Sequence, residues 1–424
     1  MKTILLVTDN RYWRESIGSQ KRIAALCRHL EQRYTLQVLF LGKLNADDVR
    51  QVADRLQGHE LEAEPGLLVH RAASGEAGAP AFSARACVKQ LVFEFRRGFA
   101  RRAPVQRGFR RFRFQIHEPK LADYRRPVWA ERFRKACARV QPDVVIIEYA
   151  RVAWLLDACA DALPQGCTTI VDTHDVQHLR QSSFHAEGNV HDFDITPMEE
   201  AVVLGPADAV LAIQGEDARA LDELLPGKRI LLVPHPQPVS PQNEPSDDGE
   251  VHLGFFGSSM APNVDAALQL LRELWPRIKA ECRNARLHVF GGVCDALKAE
   301  PEVKDVVMHG FVTDLASAYA SLHVVLNPVT YGGGLKIKSV EALGYAKPLV
   351  TTAVGAQGLE AGAGQAFVLS RDDEDFVSAV LHLLRDAQAR RQLAEGALEF
   401  ARARFSPDHA FDELDRFIEQ SITA

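Results

Sequence analysis

The stretch NPVTYGGGLKIKSVEALGYAKPLVTTAVGAQG, residues 327–358, decides the architecture. A buried strand ends at Asn327-Pro328. Gly332, Gly333 and Gly334 then form a loop whose backbone N–H groups can approach a ligand closely. The pattern predicts a helix from Leu335 to about Tyr345 and a further strand from Leu349 to Thr352. A helix starting at such a loop points unpaired N–H groups and its positive dipole end into it, which suits an anion. Lys336 and Lys338 in its first turn can neutralise a diphosphate. Glu341 can accept hydrogen bonds from two vicinal ribose hydroxyls. Loop, helix end, two lysines and a carboxylate together describe a nucleoside-diphosphate site.

The same strand–helix rhythm runs outward in both directions. Downstream, Ala366 to Leu369 reads as a strand and Asp375 to Phe405 as helix; after Ser406-Pro407-Asp408 a last amphipathic helix spans Ala410 to Ile422. Upstream lie strands at Val251 to Phe256, Arg286 to Phe290, Val306 to Met308 and Val324 to Asn327, with a helix from Val264 to Ala280. Residues 234–250 hold five prolines and almost no large apolar residue, the composition of a linker. Before it, continuous apolar runs begin at Thr3, Thr35, Val144, Thr168, Ala209 and Ile230, as in parallel strands buried on both faces. The chain therefore reads as α/β, with two doubly wound domains: 1–240, then 250–404, and a final helix, 405–424, crossing back to the first. Two such sheets bind ligands beyond the carboxyl ends of their strands, so they face one another across a cleft.

No apolar run reaches the roughly 20 residues that span a bilayer, and the N-terminus lacks the pattern of a signal peptide. Seven scattered cysteines without a Cys-x-x-Cys pair argue against a zinc ribbon and a disulfide framework, and for a reducing cytoplasm. The net charge of -6 hides an island: residues 89–126 carry twelve Lys/Arg and three acids, a local +9. Between 93 and 114 phenylalanines interleave with arginines. Such a segment suits an anionic membrane surface or an anionic glycan; equally, its phenylalanines can pack on the first domain while the arginines stay solvated. Nothing else in the chain supports a nucleic-acid partner.

The 327–358 stretch resembles the signature of retaining GT-B glycosyltransferases of family 4, the glycosyl transferases group 1. It carries their glycine run, Lys336-Ile337-Lys338-Ser339-Val340-Glu341-Ala342, and then Lys347-Pro348-Leu349-Val350 and Gly355-Ala356-Gln357-Gly358. Gly254-Phe255-Phe256-Gly257-Ser258-Ser259 and Gly310-Phe311-Val312-Thr313-Asp314 match two further motifs in order and spacing. The first half resembles the family more loosely, through Gly18-Ser19 and Asp172-Thr173-His174-Asp175. The resemblance implies a GT-B fold of two Rossmann-like domains, and transfer of a hexosyl-type sugar from a nucleotide sugar to a glycan or lipid-linked acceptor. It implies a donor site of Gly18, Ser19, Gly257, Ser258, Phe311, Val312, Gly332, Gly333, Gly334, Leu335, Lys336, Lys338 and Glu341. His174, Lys336 and Glu341 take the catalytic roles: the lysines and the helix end stabilise the leaving diphosphate, and His174 bonds the sugar. The acceptor proton passes to the departing phosphate, so no separate general base is needed; the resemblance implies no cofactor and no metal. One departure stands out: many members carry Glu-x7-Glu, whose first Glu falls at Gly333.

Arg11, Tyr12 and Trp13 after the first strand, Glu148-Tyr149 at a strand end, and Asp175 are candidates for acceptor contacts. Asp192-Phe193-Asp194 has Asp-x-Asp spacing, but the pattern is short, and His178, His185 and His191 fit no common ligand spacing. Two other classes share the fold: a non-hydrolysing UDP-sugar epimerase, which the Lys-x-Lys-x-x-Glu pattern disfavours, and a nucleotide-sugar-binding protein without catalysis.

Overall fold

Fourteen strands pair into two sheets in the computed structural model, which describes residues 2–55, 59–61, 67–70, 118–191, 193–245, 248–298 and 300–423. Most of the basic island, 89–117, lies outside the described residues, so the membrane or glycan contact expected of 93–114 does too. The first sheet contains β1 (Thr3–Thr8), β2 (Thr35–Phe40), β3 (His59–Leu61), β4 (Leu67–His70), β5 (Val144–Glu148), β6 (Thr168–Asp172), β7 (Ala209–Ala212) and β8 (Arg229–Leu232). Their order is β3-β4-β2-β1-β5-β6-β7-β8; six strands run parallel, and β4 and β3 extend the edge antiparallel, which periodicity does not predict. The second sheet contains β9 (Val251–Phe256), β10 (Ala285–Phe290), β11 (Val306–Gly310), β12 (Val324–Asn327), β13 (Leu349–Thr352) and β14 (Val368–Ser370). Its order, β11-β10-β9-β12-β13-β14, is parallel throughout.

The continuous apolar runs explain both sheets. Every residue of β5 is buried, and so are Ile4 to Thr8 of β1, because helices cover both faces. Strand order reverses at β1/β5 in the first sheet and at β9/β12 in the second. These switch points splay the connecting loops apart and leave a crevice at the carboxyl end of each sheet.

The connector after β8 is pinned rather than loose. Gln237 N–H donates to Phe405 O at 2.6 Å, Ser240 N–H to Gly344 O at 3.0 Å, and Lys347 Nζ to Asn243 O at 2.7 Å. The predicted 264–280 helix is Ala261–Gln269 running through one π-helical turn, Leu270–Leu274, into Trp275–Glu281. The terminal helix, Asp412–Thr423, packs Leu414 and Ile418 into the first domain's core with Phe411. Asp415 there accepts from His29 Nε2 at 2.9 Å and also pairs with Arg33.

Candidate active site

The two crevices merge into one cleft of about 750 Å³. The helix Ile337–Gly344 enters it with Lys336 at its N-cap, so Lys338 alone stands in the first turn. Across the cleft starts the helix Gly18–Glu31. A Cβ on Gly18 would meet Ile337 Cδ1 at 2.8 Å, so the two helix ends nearly touch. Two positive helix ends facing one cleft favour an anion between them.

The glycine loop is held from the opposite domain. Gly332 N–H donates to Ser183 Oγ at 2.9 Å, and Phe184 meets Tyr331 edge to face at 5.4 Å between centroids. Gly334 has φ +66°, and a Cβ there would fall 1.7 Å from Asp175 Oδ1. Only glycine leaves room for that carboxylate, which Arg180 pairs. Asp175 thus lies against the glycine loop, in the cleft wall.

Lys336 Nζ donates to Gly333 O at 2.9 Å, Gly334 O at 2.8 Å and Gln357 Oε1 at 2.7 Å, bracing the loop. Burial lowers its pKa to about 8, against the opposing pull of Asp175. Lys338 Nζ bonds Asn263 Oδ1 and lies 4.9 Å from the Phe255 ring centroid. Burial, then repulsion from Lys336, lowers it to about 7. Asn263 in turn donates to Ser258 Oγ at 2.9 Å, which ties Lys338 to the loop after β9. Glu341 is 5% exposed; it pairs with Lys21 of the other domain, and Tyr319 OH lies 3.4 Å from Oε2. Asp217, nearby, is pushed up to about 7 by burial and then by Asp175.

On the first domain's side, His174 has φ +63° and is 4% exposed. Its Nε2 lies 2.6 Å from Glu148 Oε2, and its ring stacks on Tyr149 at 4.1 Å between centroids. Arg151 covers Tyr149 at 3.9 Å and pairs with Asp9 through two bonds of 2.9 and 2.6 Å.

The cleft is lined by most of the expected donor residues: Gly18, Ser19, Gly257, Ser258, Phe311, Val312, Gly332, Gly333, Leu335, Lys336, Lys338 and Glu341, joined by His174, Tyr149 and Asp175. Gly334 sits just behind the wall. Four acceptor expectations fail. Tyr12 and Trp13 are 0% exposed, folded into the core by the 3-10 turn Tyr12–Arg14, with Trp13 edge-on to Phe40 at 5.0 Å. Arg11 turns away to Asp48 at 3.0 Å, and Arg14 lines the cleft instead. Glu148 is 0% exposed behind His174, beyond the reach of an acceptor. Sequence reasoning missed Lys21 and Arg180, which belong to no motif of the sequence. It also missed Phe256 and Phe290, stacked at 4.6 Å in the cleft wall.

Glu148, Asp172 and His174 lie close enough to share a cation, but Arg22 takes both oxygens of Asp172 and His174 takes one of Glu148. Asp192 lies outside the described residues; Asp194 accepts from Gln181 at 2.5 Å. His178, His185 and His191 bond Glu200, Glu118 and Phe193 O separately. The six described cysteines are free thiols, and among the described residues no helix is long and apolar enough to cross a membrane.

Residues 250–386 match the family described as Glycosyl transferases group 1. D-inositol 3-phosphate glycosyltransferase of Stackebrandtia nassauensis is 28% identical over 308 residues, covering 64% of this chain and 67% of that one. A Klebsiella pneumoniae protein described as an uncharacterized 44.6 kDa protein in the cps region is 21% identical over 170 residues, 38% of this chain and 44% of its own length. Among solved structures, sucrose-phosphate synthase from Thermosynechococcus elongatus superposes with TM-score 0.67 at 14% identity, covering all of both chains. Anabaena HepE in complex with UDP and glucose gives 0.61 at 11% identity, over 99% of this chain and 100% of that one. The fold is GT-B, and the family match over the second domain supports glycosyltransferase activity.

Proposed function

We propose that this chain transfers a hexosyl-type sugar, with retention and without a metal, from a nucleoside-diphosphate donor to a glycan or lipid-linked acceptor. The observation that carries this reading is the meeting of the glycine loop, Lys336, Lys338 and Glu341 at a helix end inside one interdomain cleft. The diphosphate lies at the N-terminus of Ile337–Gly344, where Lys338 and the loop N–H groups offset the charge that builds up as the glycosidic bond breaks. Glu341 takes the ribose hydroxyls, displacing Lys21. The sugar lies toward His174, with Asp175 and Arg180 beside it. Gly333 has no side chain to contribute, so the loop backbone contacts the sugar there. The protein works in the cytoplasm, and the 93–114 segment holds it to an anionic membrane or to an anionic acceptor. Vesicle binding that is salt-sensitive and lost when the arginines of 96–113 are neutralised is the outcome expected for the membrane.

The Glu148–His174 contact favours one second reading, in which His174 acts as a general base and the anomeric configuration inverts. Donor turnover followed by proton NMR separates the possibilities. A product with the donor's anomeric configuration supports the proposal, and the opposite configuration supports the base. An isomerised sugar nucleotide, or binding without turnover, overturns both.

A further inference from the structure

We infer that Glu148 is a positioning residue: it keeps a proton on the Glu148–His174 pair, so that His174 presents an Nδ1–H donor, not a bare nitrogen, to a substrate oxygen in the cleft. Glu148 and Asp172 are register partners at the ends of adjacent parallel strands, and both are 0% exposed. Two neighbouring carboxylates in a dry site do not both stay charged without compensation. Arg22 compensates one, donating to Asp172 at 2.8 and 3.1 Å. The other carboxylate must hold a proton or face a cation, and His174 Nε2 at 2.6 Å is the group that shares it. Burial, then the charge of Asp172, drives the Glu148 carboxyl upward, with His174 pulling it back.

Valence fixes the consequence. With the shared proton on Glu148, the carboxylic acid donates to Nε2, and neutral imidazole carries its hydrogen on Nδ1. With the proton on His174, the imidazolium carries hydrogens on both nitrogens. Only loss of that proton leaves Nδ1 as a lone pair. The ring is held for this task, stacked on Tyr149 with 9° between planes, while Arg151 caps the far face of Tyr149.

The other titratable or charged groups facing the pair come from every neighbouring element. Arg22 and Cys27 lie on Gly18–Glu31, Asp172 and Asp175 flank His174, Arg151 follows β5, and His235 stands on the connector after β8. Burial holds Cys27 as a thiol and His235 as a neutral imidazole, so neither adds a charge near pH 7. The ligand atom is an acceptor: a hydroxyl or phosphoryl oxygen of the nucleotide sugar. Only that identity rests on the proposed function.

The test uses the full chain with 15N-labelled histidine, the His174 signals being assigned by their loss in His174→Asn. At neutral pH, Nδ1 of His174 should show the shift of a protonated nitrogen. Glu148→Gln keeps the shape but cannot exchange the proton. It should abolish the alkaline limb that belongs to the pair, because an amide facing Nε2 has no proton to lose. A bare Nδ1 in the wild-type spectrum overturns the inference, as does an unchanged pH profile in Glu148→Gln. A protonated Nδ1 in a chain that turns over no nucleotide sugar would instead fault the proposed function. The wild-type spectrum decides even where Glu148→Gln fails to fold.

Discussion

Lys336 and Lys338 set the pH dependence of the cleft. Their free-state pKa values of about 8 and about 7 leave both partly neutral in mildly alkaline solution. A bound diphosphate favours the ammonium forms and raises both values. Binding should therefore take up protons between pH 7 and 9, and affinity should fall as pH rises through that window. Calorimetry in two buffers of different ionisation heat measures the uptake; equal heats and a flat affinity would disprove it. Glu341 makes a second prediction. If it receives the ribose diol, the 2′-deoxy form of the preferred diphosphate should bind about tenfold more weakly. That discrimination should vanish in Glu341→Ala. At this scale the glycines, lysines and Glu341 were legible because their types and spacing carry the chemistry. Lys21 and Arg180 were not: a cation near a helix end reads as solvated until the opposite domain is in place. Glu148 read as an acceptor contact because sequence does not show that its strand neighbour is Asp172, nor that Arg22 pairs with Asp172 and leaves Glu148 to His174.

At the level of elements, the glycine loop is a fitted part and not a flexible turn. Gly334→Ala forces a left-handed Cβ onto Asp175. It should cost roughly 1–3 kcal/mol of stability in urea unfolding, because strain and displacement of the carboxylate add. It should also weaken nucleotide binding, since the loop N–H groups move; unchanged stability and binding would mean the loop yields freely. Strands were readable from continuous apolar runs, because both faces of a parallel sheet are covered. The loop after β1 was not. It has no period, and the burial of Tyr12 and Trp13 in a 3-10 turn is decided by the core beneath them, so residues expected at an acceptor became packing. Strands β3 and β4 are short and antiparallel at an edge, where the apolar signal is weak.

The whole molecule joins two sheets whose switch points face each other, and it does so with three straps: the pinned connector, the Gly18–Ile337 approach and the last helix. The last helix returns Leu414 and Ile418, both 0% exposed, to the first domain's core. Leu414→Ala should lower stability by about 2–5 kcal/mol while leaving diphosphate affinity nearly unchanged, because it empties a core position far from the donor loop. Two-domain topology was legible from the repeated strand–helix rhythm and the proline-rich break. The closeness of the two halves was not, since ion pairs such as Lys21–Glu341 join residues 320 positions apart. The claim on which the account rests is that the cleft is a nucleoside-diphosphate site built by Lys336, Lys338 and Glu341. Calorimetric titration of UDP, GDP, ADP, TDP and CMP into the wild type, Lys338→Ala and Glu341→Ala tests it most directly. The account predicts micromolar binding of one diphosphate, weakened at least about tenfold in each variant. Binding of none of them, or binding equal in all three proteins, would contradict it.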